Sequence, residues 1–306
     1  MSGPRRGVVI RDEGSCVIVD LDGEEARCIV RKGFVHRARN PAKAVAVGDR
    51  VRVEASGEGL AVVAVDPRRS AISRPDPSRP RREQILVANI DAVLVVAAAR
   101  DPDLVPALVD RFLVDAESRG LVAGIALTKI DLAPEASSGE MATLYKGLGY
   151  DVLAVSSVTG EGLEAVRDFL RDRTTALLGH SGVGKSSLAN ALDPSLRLRV
   201  GPVQEGTGLG THTTTTVSLL RLPWGGYLVD TPGIREFGLW AMDPRELRHA
   251  YREMAVLAGG CRFTDCLHER EPGCAVKKAA AAGAIAPCRY ESYLRLLASL
   301  REARES

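Results

Sequence analysis

The sequence predicts a three-part protein: an all-β barrel in front, an α/β domain on a parallel sheet in the middle, and a helical module behind. Three observations carry this prediction. Five short β-type runs occupy residues 7–65, strand and helix patterns alternate between residues 92 and 229, and four cysteines crowd into the last fifth of the chain. A length of 306 residues suits two or three domains.

Net charge is only +2, yet residues 1–82 hold 17 Lys and Arg against 11 Asp and Glu, while the remainder holds 24 against 28. The front is therefore basic, which fits a polyanion such as RNA or simply a well-solvated surface. No apolar run reaches 18 residues, and Pro4-Arg5-Arg6 passes to Arg11-Asp12-Glu13 without a signal core. A cytoplasmic location with no membrane contact is expected.

The β-type runs are Gly7-Val8-Val9-Ile10, Cys16-Val17-Ile18-Val19, Arg27-Cys28-Ile29-Val30, Val51-Arg52-Val53 and Leu60 to Val65. Asp22-Gly23 and Gly48-Asp49 supply turns between them. Five such strands fit a closed barrel of the oligonucleotide-binding (OB) type, and a small SH3-like barrel would look much the same. Residues 68–82 hold three prolines and six arginines and read as a linker, whose arginines either track phosphates or stay solvated. Residues 1–82 thus form the first domain. Phe34 is its only aromatic residue, so base stacking contributes little. Binding to nucleic acid would rest on phosphate contacts from Arg31, Lys32, Arg37, Arg39 and Lys43, and would fall steeply with salt.

The second domain, 83–240, has strand candidates at Ala92 to Ala98, Val122 to Leu127, Val152 to Val155, Thr175 to Leu178 and Tyr227 to Val229. Amphipathic helices between them imply a parallel sheet covered on both faces. After the fourth strand comes Gly179-His180-Ser181-Gly182-Val183-Gly184-Lys185-Ser186, a full phosphate-binding loop that opens into a helix at Ser187. Its backbone N–H groups would wrap the α- and β-phosphates of a nucleotide. Lys185 would reach the β- and γ-oxygens, and Ser186 would ligate Mg²⁺.

Thr128-Lys129-Ile130-Asp131 follows a strand, at the carboxyl edge where such sheets bind ligands. A carboxylate there accepts from both N1–H and the exocyclic amine of guanine, whereas adenine would turn a lone pair toward it. Rejection of a base that leaves buried polar groups unpaired reaches the order of 10⁴-fold. Ser156 and Ser157 offer backbone donors to the guanine carbonyl. Asp230-Thr231-Pro232-Gly233 closes the last strand, with Asp230 suited to hold a water on Mg²⁺ and the Gly233 N–H to sense the γ-phosphate. Residues 206–216 are rich in Gly and hydroxyls and suit a loop ordered by nucleotide. One threonine should complete the Mg²⁺ shell, and Thr214 is chosen over Thr213.

In the third domain, 241–306, Asp243-Pro244-Arg245-Glu246 is a helix start, with Leu247, Tyr251, Met254 and Leu257 inward. A second helix is expected from Tyr290 to Leu300. Between them, Cys261-x₄-Cys266-x-His268-x₅-Cys274 offers three thiolates and one imidazole, the ligand set of a closed structural Zn²⁺ site. Cys288 is a spare thiol and the alternative to His268 as a ligand.

Base-reading motifs that precede the phosphate loop resemble the circularly permuted GTPases. The run Gly208-x-Gly210-x-His212-Thr213-Thr214-Thr215, then Asp230 through Gly238, then Cys261 through Cys274, is similar to the ribosome small-subunit-dependent GTPase A family of bacteria, over essentially the whole chain. The resemblance implies GTP or GDP with Mg²⁺ and Zn²⁺, and as partners the 30S ribosomal subunit and its 16S rRNA, with the chain a monomer. The family assists late 30S maturation and leaves on hydrolysis. Two positions depart from better-known GTPases: Thr128 stands where Asn is usual, and Ile234 where a water-orienting Gln is found. An aliphatic residue cannot polarise water, so His212 is the candidate, beside Lys185 and Thr214 as catalytic groups. No arginine finger is evident, so a partner must complete or order the site. A non-hydrolysing RNA-binding module is the rival from another class, opposed by Lys185, Ser186 and Asp230. An ATP-using enzyme is the second rival, opposed by Asp131.

Overall fold

The computed structural model describes residues 4–30, 45–57, 59–76, 79–200, 217–230 and 242–305. They fall into two compact units. One gathers the described residues within 1–91, 170–176 and 205–236, and the other those within 92–169, 177–204 and 237–306.

In the first unit the five expected strands are β1 (Arg5–Asp12), β2 (Cys16–Leu21), β3 (Glu24–Val30), β4 (Arg50–Ser56) and β5 (Gly59–Val65). β1 pairs antiparallel with β2 and β4, β2 with β3, and β4 with β5, while β3 and β5 run parallel. The order β1-β2-β3-β5-β4 returns to β1, which closes the barrel and is the OB-type order, so the SH3-like alternative falls away. Alternation along the strands turns Val9, Val17, Val19, Val51, Val53 and Val62 into a common core. At the β2–β3 turn Asp22 and Gly23 both have positive φ, 59° and 102°, as a two-residue hairpin of the right twist demands.

The stretch expected to be a linker is instead a hairpin. β6 (Ala71–Asp76) and β7 (Arg79–Ala88) pair antiparallel from Ala71↔Ala88 to Asp76↔Arg79. Burial of Ile72 and Val87, partners in that register, explains why an Arg- and Pro-rich composition did not prevent it. Two prolines are tolerated because the ladder has two strands, so no third strand calls on their missing N–H groups. The unit also holds β12 (Ser218–Arg221) and β13 (Tyr227–Asp230), an antiparallel pair. β12 meets β1 at Arg11↔Ser218, and β13 runs parallel to the start of β11 (Thr174–Leu178).

The second unit is built on β8 (Ala92–Ala98), β9 (Val122–Thr128) and β10 (Asp151–Ala154), all parallel. β8 is buried along its whole length, as an apolar run covered on both faces should be. α1 (Pro106–Ser118) follows β8, α2 (Glu140–Gly147) follows β9, α3 (Leu163–Leu170) follows β10, and α4 (Lys185–Leu192) follows β11. The C-terminal helices are α5 (Leu247–Ala250), α6 (Arg252–Ala258), α7 (Ala275–Ala281) and α8 (Pro287–Glu305). The single helix expected after Asp243 is thus two, because Tyr251 takes an extended backbone, φ −100° and ψ 106°. The break keeps Leu247, Tyr251 and Met254 all in the core, where Tyr251 meets Tyr293 edge-on at 5.4 Å.

These helices share a core with α1, and a buried charge network pins them to it. Arg289 is 1% exposed and Asp110 fully buried, and Arg289 donates to Asp110 at 2.5 Å and to both carboxylate oxygens of Glu253 at 2.7 and 3.0 Å. The Tyr145 hydroxyl donates to the same Asp110 oxygen at 2.6 Å. Burial pushes the Asp110 carboxyl up against the opposing pull of Arg289. Arg289 is held charged by Glu253 and Asp110 in spite of its own burial. Breaking such a pair strands a carboxylate in the interior, so Arg289→Met should cost about 3–5 kcal/mol. A lowered thermal midpoint checks this, and an unchanged midpoint would mean that the network is energetically idle.

Candidate functional site

The phosphate loop joins β11 to α4, and its path needs glycine. Gly179 has φ +153°, and a Cβ there would lie 2.2 Å from the Val96 carbonyl oxygen of β8. Gly184, the residue before α4, is left-handed at φ 95°. The first turn of α4 thus opens at the loop mouth, where an anion is favoured. Lys185 donates from Nζ to the carbonyls of Gly179 and His180, both at 2.8 Å. His180 and Ser181 are exposed, whereas Ser186 and Ser187 are half-buried at the first turn of α4. Val183 is buried and anchors the loop from beneath.

The base-side motif is tied to this loop directly. Thr128, buried at the end of β9, donates from Oγ1 to the Val183 carbonyl at 2.6 Å and lies 3.2 Å from the Ala97 carbonyl. A single hydroxyl therefore braces the phosphate loop against two strands. Lys129 follows in a left-handed conformation and donates to the Asp101 carbonyl. Asp131 is exposed, and its Oδ1 accepts from the Ser156 hydroxyl at 2.5 Å. Ser156 in turn is fully buried and accepts from the N–H groups of Val158 and Thr159 at 3.2 and 3.1 Å. That chain of bonds fixes the carboxylate on the loop that carries Ser156 and half-buried Ser157. Sequence spacing gave no sign of the Asp101 contact, since it uses a backbone carbonyl.

Asp230 ends β13, paired with Ser218 of β12. His212, Thr213, Thr214, Gly233 and Ile234 lie outside the described residues, as do Arg31, Lys32, Phe34, Arg37, Arg39 and Lys43.

The second constellation lies in the C-terminal helical region. The ligand atoms of Cys261, Cys266, His268 and Cys274 all lie within 4.8 Å of one another. His268 Nδ1 stands 3.6 Å from Cys261 Sγ and 3.3 Å from Cys274 Sγ, and the two sulfurs are 3.9 Å apart. Ordinary zinc bond lengths give a tetrahedron with sulfur–sulfur edges of about 3.8 Å and sulfur–nitrogen edges of about 3.6 Å. The donor set and its spacing therefore fit one Zn²⁺ with no position left for water. Cys288, at the start of α8, is not among these four.

The surroundings favour His268 and Cys261 in their binding forms. Burial and the nearby Arg248 hold His268 below the usual imidazole range, so the ring is neutral. Cys274 caps α7, and its sulfur accepts from the Lys277 N–H at 3.4 Å. Against burial, the N–H groups of Ala275 and Val276 hold the Cys261 thiol below its ordinary value. Burial works the other way on Cys266 and pushes it up to about 12, so metal binding must displace its proton. The ligand loop is clamped from outside: Tyr290 and Tyr293 of α8 donate to the carbonyls of His268 and Leu267, both at 2.7 Å. Glu271 accepts from the N–H groups of Leu267, Glu269 and Arg270. Those contacts hold His268 in a left-handed conformation, φ 59°, unusual for a non-glycine residue.

Comparison with known proteins decides the family. The model of the RsgA GTPase family matches residues 65–240. The chain belongs to the RsgA GTPase family. A relative from Gemmatimonas aurantiaca, named small ribosomal subunit biogenesis GTPase RsgA, is 44% identical over 97% of both chains. One from Chlorobaculum tepidum with the same name is also 44% identical, over 97% of this chain and 98% of its own. Among solved structures, YjeQ from Thermotoga maritima matches with a TM-score of 0.80 and 33% identity, over 97% of this chain and 99% of that one. YloQ, described as a circularly permuted GTPase, matches with a TM-score of 0.75 and 26% identity. As an RsgA GTPase the chain is a GTP-hydrolysing enzyme, and its base-side motif at 128–131 precedes its phosphate loop at 179–186, the permuted order.

Proposed function

We propose that this RsGA-type GTPase hydrolyses GTP when stimulated by the small ribosomal subunit, acts late in that subunit's maturation, and leaves it on hydrolysis. The names of its relatives support the 30S subunit as partner. One observation carries the site assignment: Thr128 bonds to Val183 of the phosphate loop, three residues before Asp131, which Ser156 holds in place. One end of a guanine nucleotide would meet Asp131 and the other Lys185. We assign the domains as 1–82, 83–240 and 241–306, with 16S rRNA met by the barrel and the helical module in a cytoplasmic monomer. Among the described residues no helix is long and apolar enough to cross a membrane.

In this reading Asp131 accepts from the guanine N1–H and amine, while the backbone of Ser156 and Ser157 serves the carbonyl. N–H groups from Gly179 through Ser187 cradle the phosphates, and Lys185 leaves the carbonyls of Gly179 and His180 for the β- and γ-oxygens. Ser186 and Thr214 would hold Mg²⁺, Asp230 would act on it through a water, and the Gly233 N–H would meet the γ-phosphate. Bound Mg²⁺ neutralises charge that develops on the phosphate oxygens. Cys261, Cys266, His268 and Cys274 hold a structural Zn²⁺. His212 orients the attacking water, the duty that Ile234 cannot perform. His212→Ala should lower hydrolysis by roughly 10²-fold or more and leave GTP affinity intact. An unchanged turnover number would remove His212 from the mechanism.

Sedimentation with purified 30S subunits tests the partner. The chain should pellet with them in the presence of a non-hydrolysable GTP analogue and stay in the supernatant with GDP. Equal pelleting in both states would refute nucleotide-controlled docking.

A further inference from the structure

The β12–β13 hairpin is the root of both stretches expected to sense nucleotide. The Gly- and Thr-rich run 206–216 enters β12, and Asp230 ends β13, with Ser218 and Asp230 paired at that open end. At the turn end, Arg221 pairs with Tyr227 in the ladder, and both side chains converge on Asp20 of the barrel strand β2. Asp20 is 4% exposed. Its Oδ1 accepts from the Gly23 N–H at 2.6 Å and from Arg221 Nη1 at 3.2 Å, and its Oδ2 accepts from the Tyr227 hydroxyl at 2.7 Å.

Gly23 makes room for this arrangement. A Cβ at that position would lie 2.6 Å from Arg221 Nη1, so the β2–β3 turn is shaped to receive the guanidinium. Burial and the bond to Asp20 push the Tyr227 hydroxyl up, so it remains a donor at any pH the protein meets. The barrel does not need the contact to close, since β1 and β4 already complete the ring and its core is aliphatic. What the buried carboxylate does is fix the hairpin to the barrel in one orientation, since any other would leave its charge unpaired. From Tyr227 to Asp230 is three steps of strand, about 10 Å.

We propose that Asp20, Arg221 and Tyr227 are positioning residues that transmit docking of the barrel on the small ribosomal subunit to the hairpin bearing Asp230, and so set the ribosome-stimulated rate of GTP hydrolysis. The inference rests on the reading above that the 30S subunit stimulates this enzyme. None of the three is among the residues assigned above to the nucleotide, so hydrolysis by the chain alone does not depend on them.

The test measures phosphate release from GTP by the full chain, alone and across a titration of purified 30S subunits. Tyr227→Phe removes one oxygen and keeps the ring, Arg221→Gln removes the charge, and Arg221→Lys restores it. The expected result is an unchanged basal rate with a stimulated plateau that falls roughly 2- to 30-fold in Tyr227→Phe and Arg221→Gln and largely recovers in Arg221→Lys. Mere weakening of the barrel would raise the 30S concentration for half-stimulation and leave the plateau alone, which overturns the inference. So does a basal rate that falls in step with the plateau, or a plateau that no variant changes. If the wild-type chain is not stimulated at all, the underlying reading of the partner fails and the inference falls with it.

Discussion

Lys185→Ala is expected to lower GTP hydrolysis by roughly 10²- to 10³-fold and to weaken GTP binding, with the chain still folded. The ammonium is already turned into the loop mouth, held by the carbonyls of Gly179 and His180 at 2.8 Å. In the proposed role it would meet the charge that grows on the transferred phosphoryl group, with phosphate oxygens replacing the carbonyls. Alanine keeps the helical backbone of α4, and the loop path depends on Gly179, Gly184 and the Thr128 brace rather than on the lysine. Phosphate-release kinetics with a GTP titration separate the two effects. Wild-type turnover in this variant would show that the loop is not the catalytic phosphate site.

Removal of the metal is expected to unfold the region around Cys261 to Cys274 and to loosen its contact with α8. Structural zinc contributes roughly 10–16 kcal/mol in zinc-finger peptides, comparable with the whole stability of a domain, about 5–15 kcal/mol. The loop's other supports are mostly polar: the tyrosine hydroxyls of α8, the Glu271 turn, Arg248 on the Thr264 and Cys266 carbonyls and the Arg301–Glu269 pair, beside the burial of Cys266, His268 and Cys274. Without metal, the His268 Nδ1 is left facing the sulfurs of Cys261 and Cys274, and Cys266 is a buried neutral thiol. Cys274→Ser should act like a chelator while its hydroxyl still caps α7. Elemental analysis should find one zinc per wild-type chain, and proteolysis after chelation should cut within 259–275 before any other described segment. Resistance to proteolysis after the zinc is gone would show that the cluster is not structural.

The barrel was legible because short β-type runs are separated by turn residues, because Val51 and Val53 alternate with outward charges in β4, and because Asp22-Gly23 marks a turn that demands positive φ. Which barrel it is could not be read from spacing, since the parallel β3–β5 pair that decides it joins residues some 30 apart. The phosphate loop was legible for a stereochemical reason: Gly179 and Gly184 stand where a side chain would clash or strain. Residues 68–82 misled because arginine and proline composition hid the buried pair Ile72 and Val87 that helps to register the hairpin. The split at Tyr251 was hidden because a continuous helix and two short ones place the same residues inward. Long-range polar contacts left no local pattern at all. Arg289 and Asp110 lie 179 residues apart, and Arg221 and Asp20 lie 201 apart. Either arginine reads in sequence as an ordinary surface charge.

The central claim is that Asp131 selects guanine in the pocket that Lys185 closes. It is tested most directly by 30S-stimulated phosphate release from GTP, ATP and xanthosine triphosphate, using the wild-type chain and Asp131→Asn. Wild type should prefer GTP to ATP by the order of 10⁴-fold. Asp131→Asn should lose GTP and accept xanthosine triphosphate, because its amide N–H can meet the C2 carbonyl that replaces the guanine amine. Comparable turnover of GTP and ATP by the wild type, or undiminished GTP turnover by Asp131→Asn, would contradict the account.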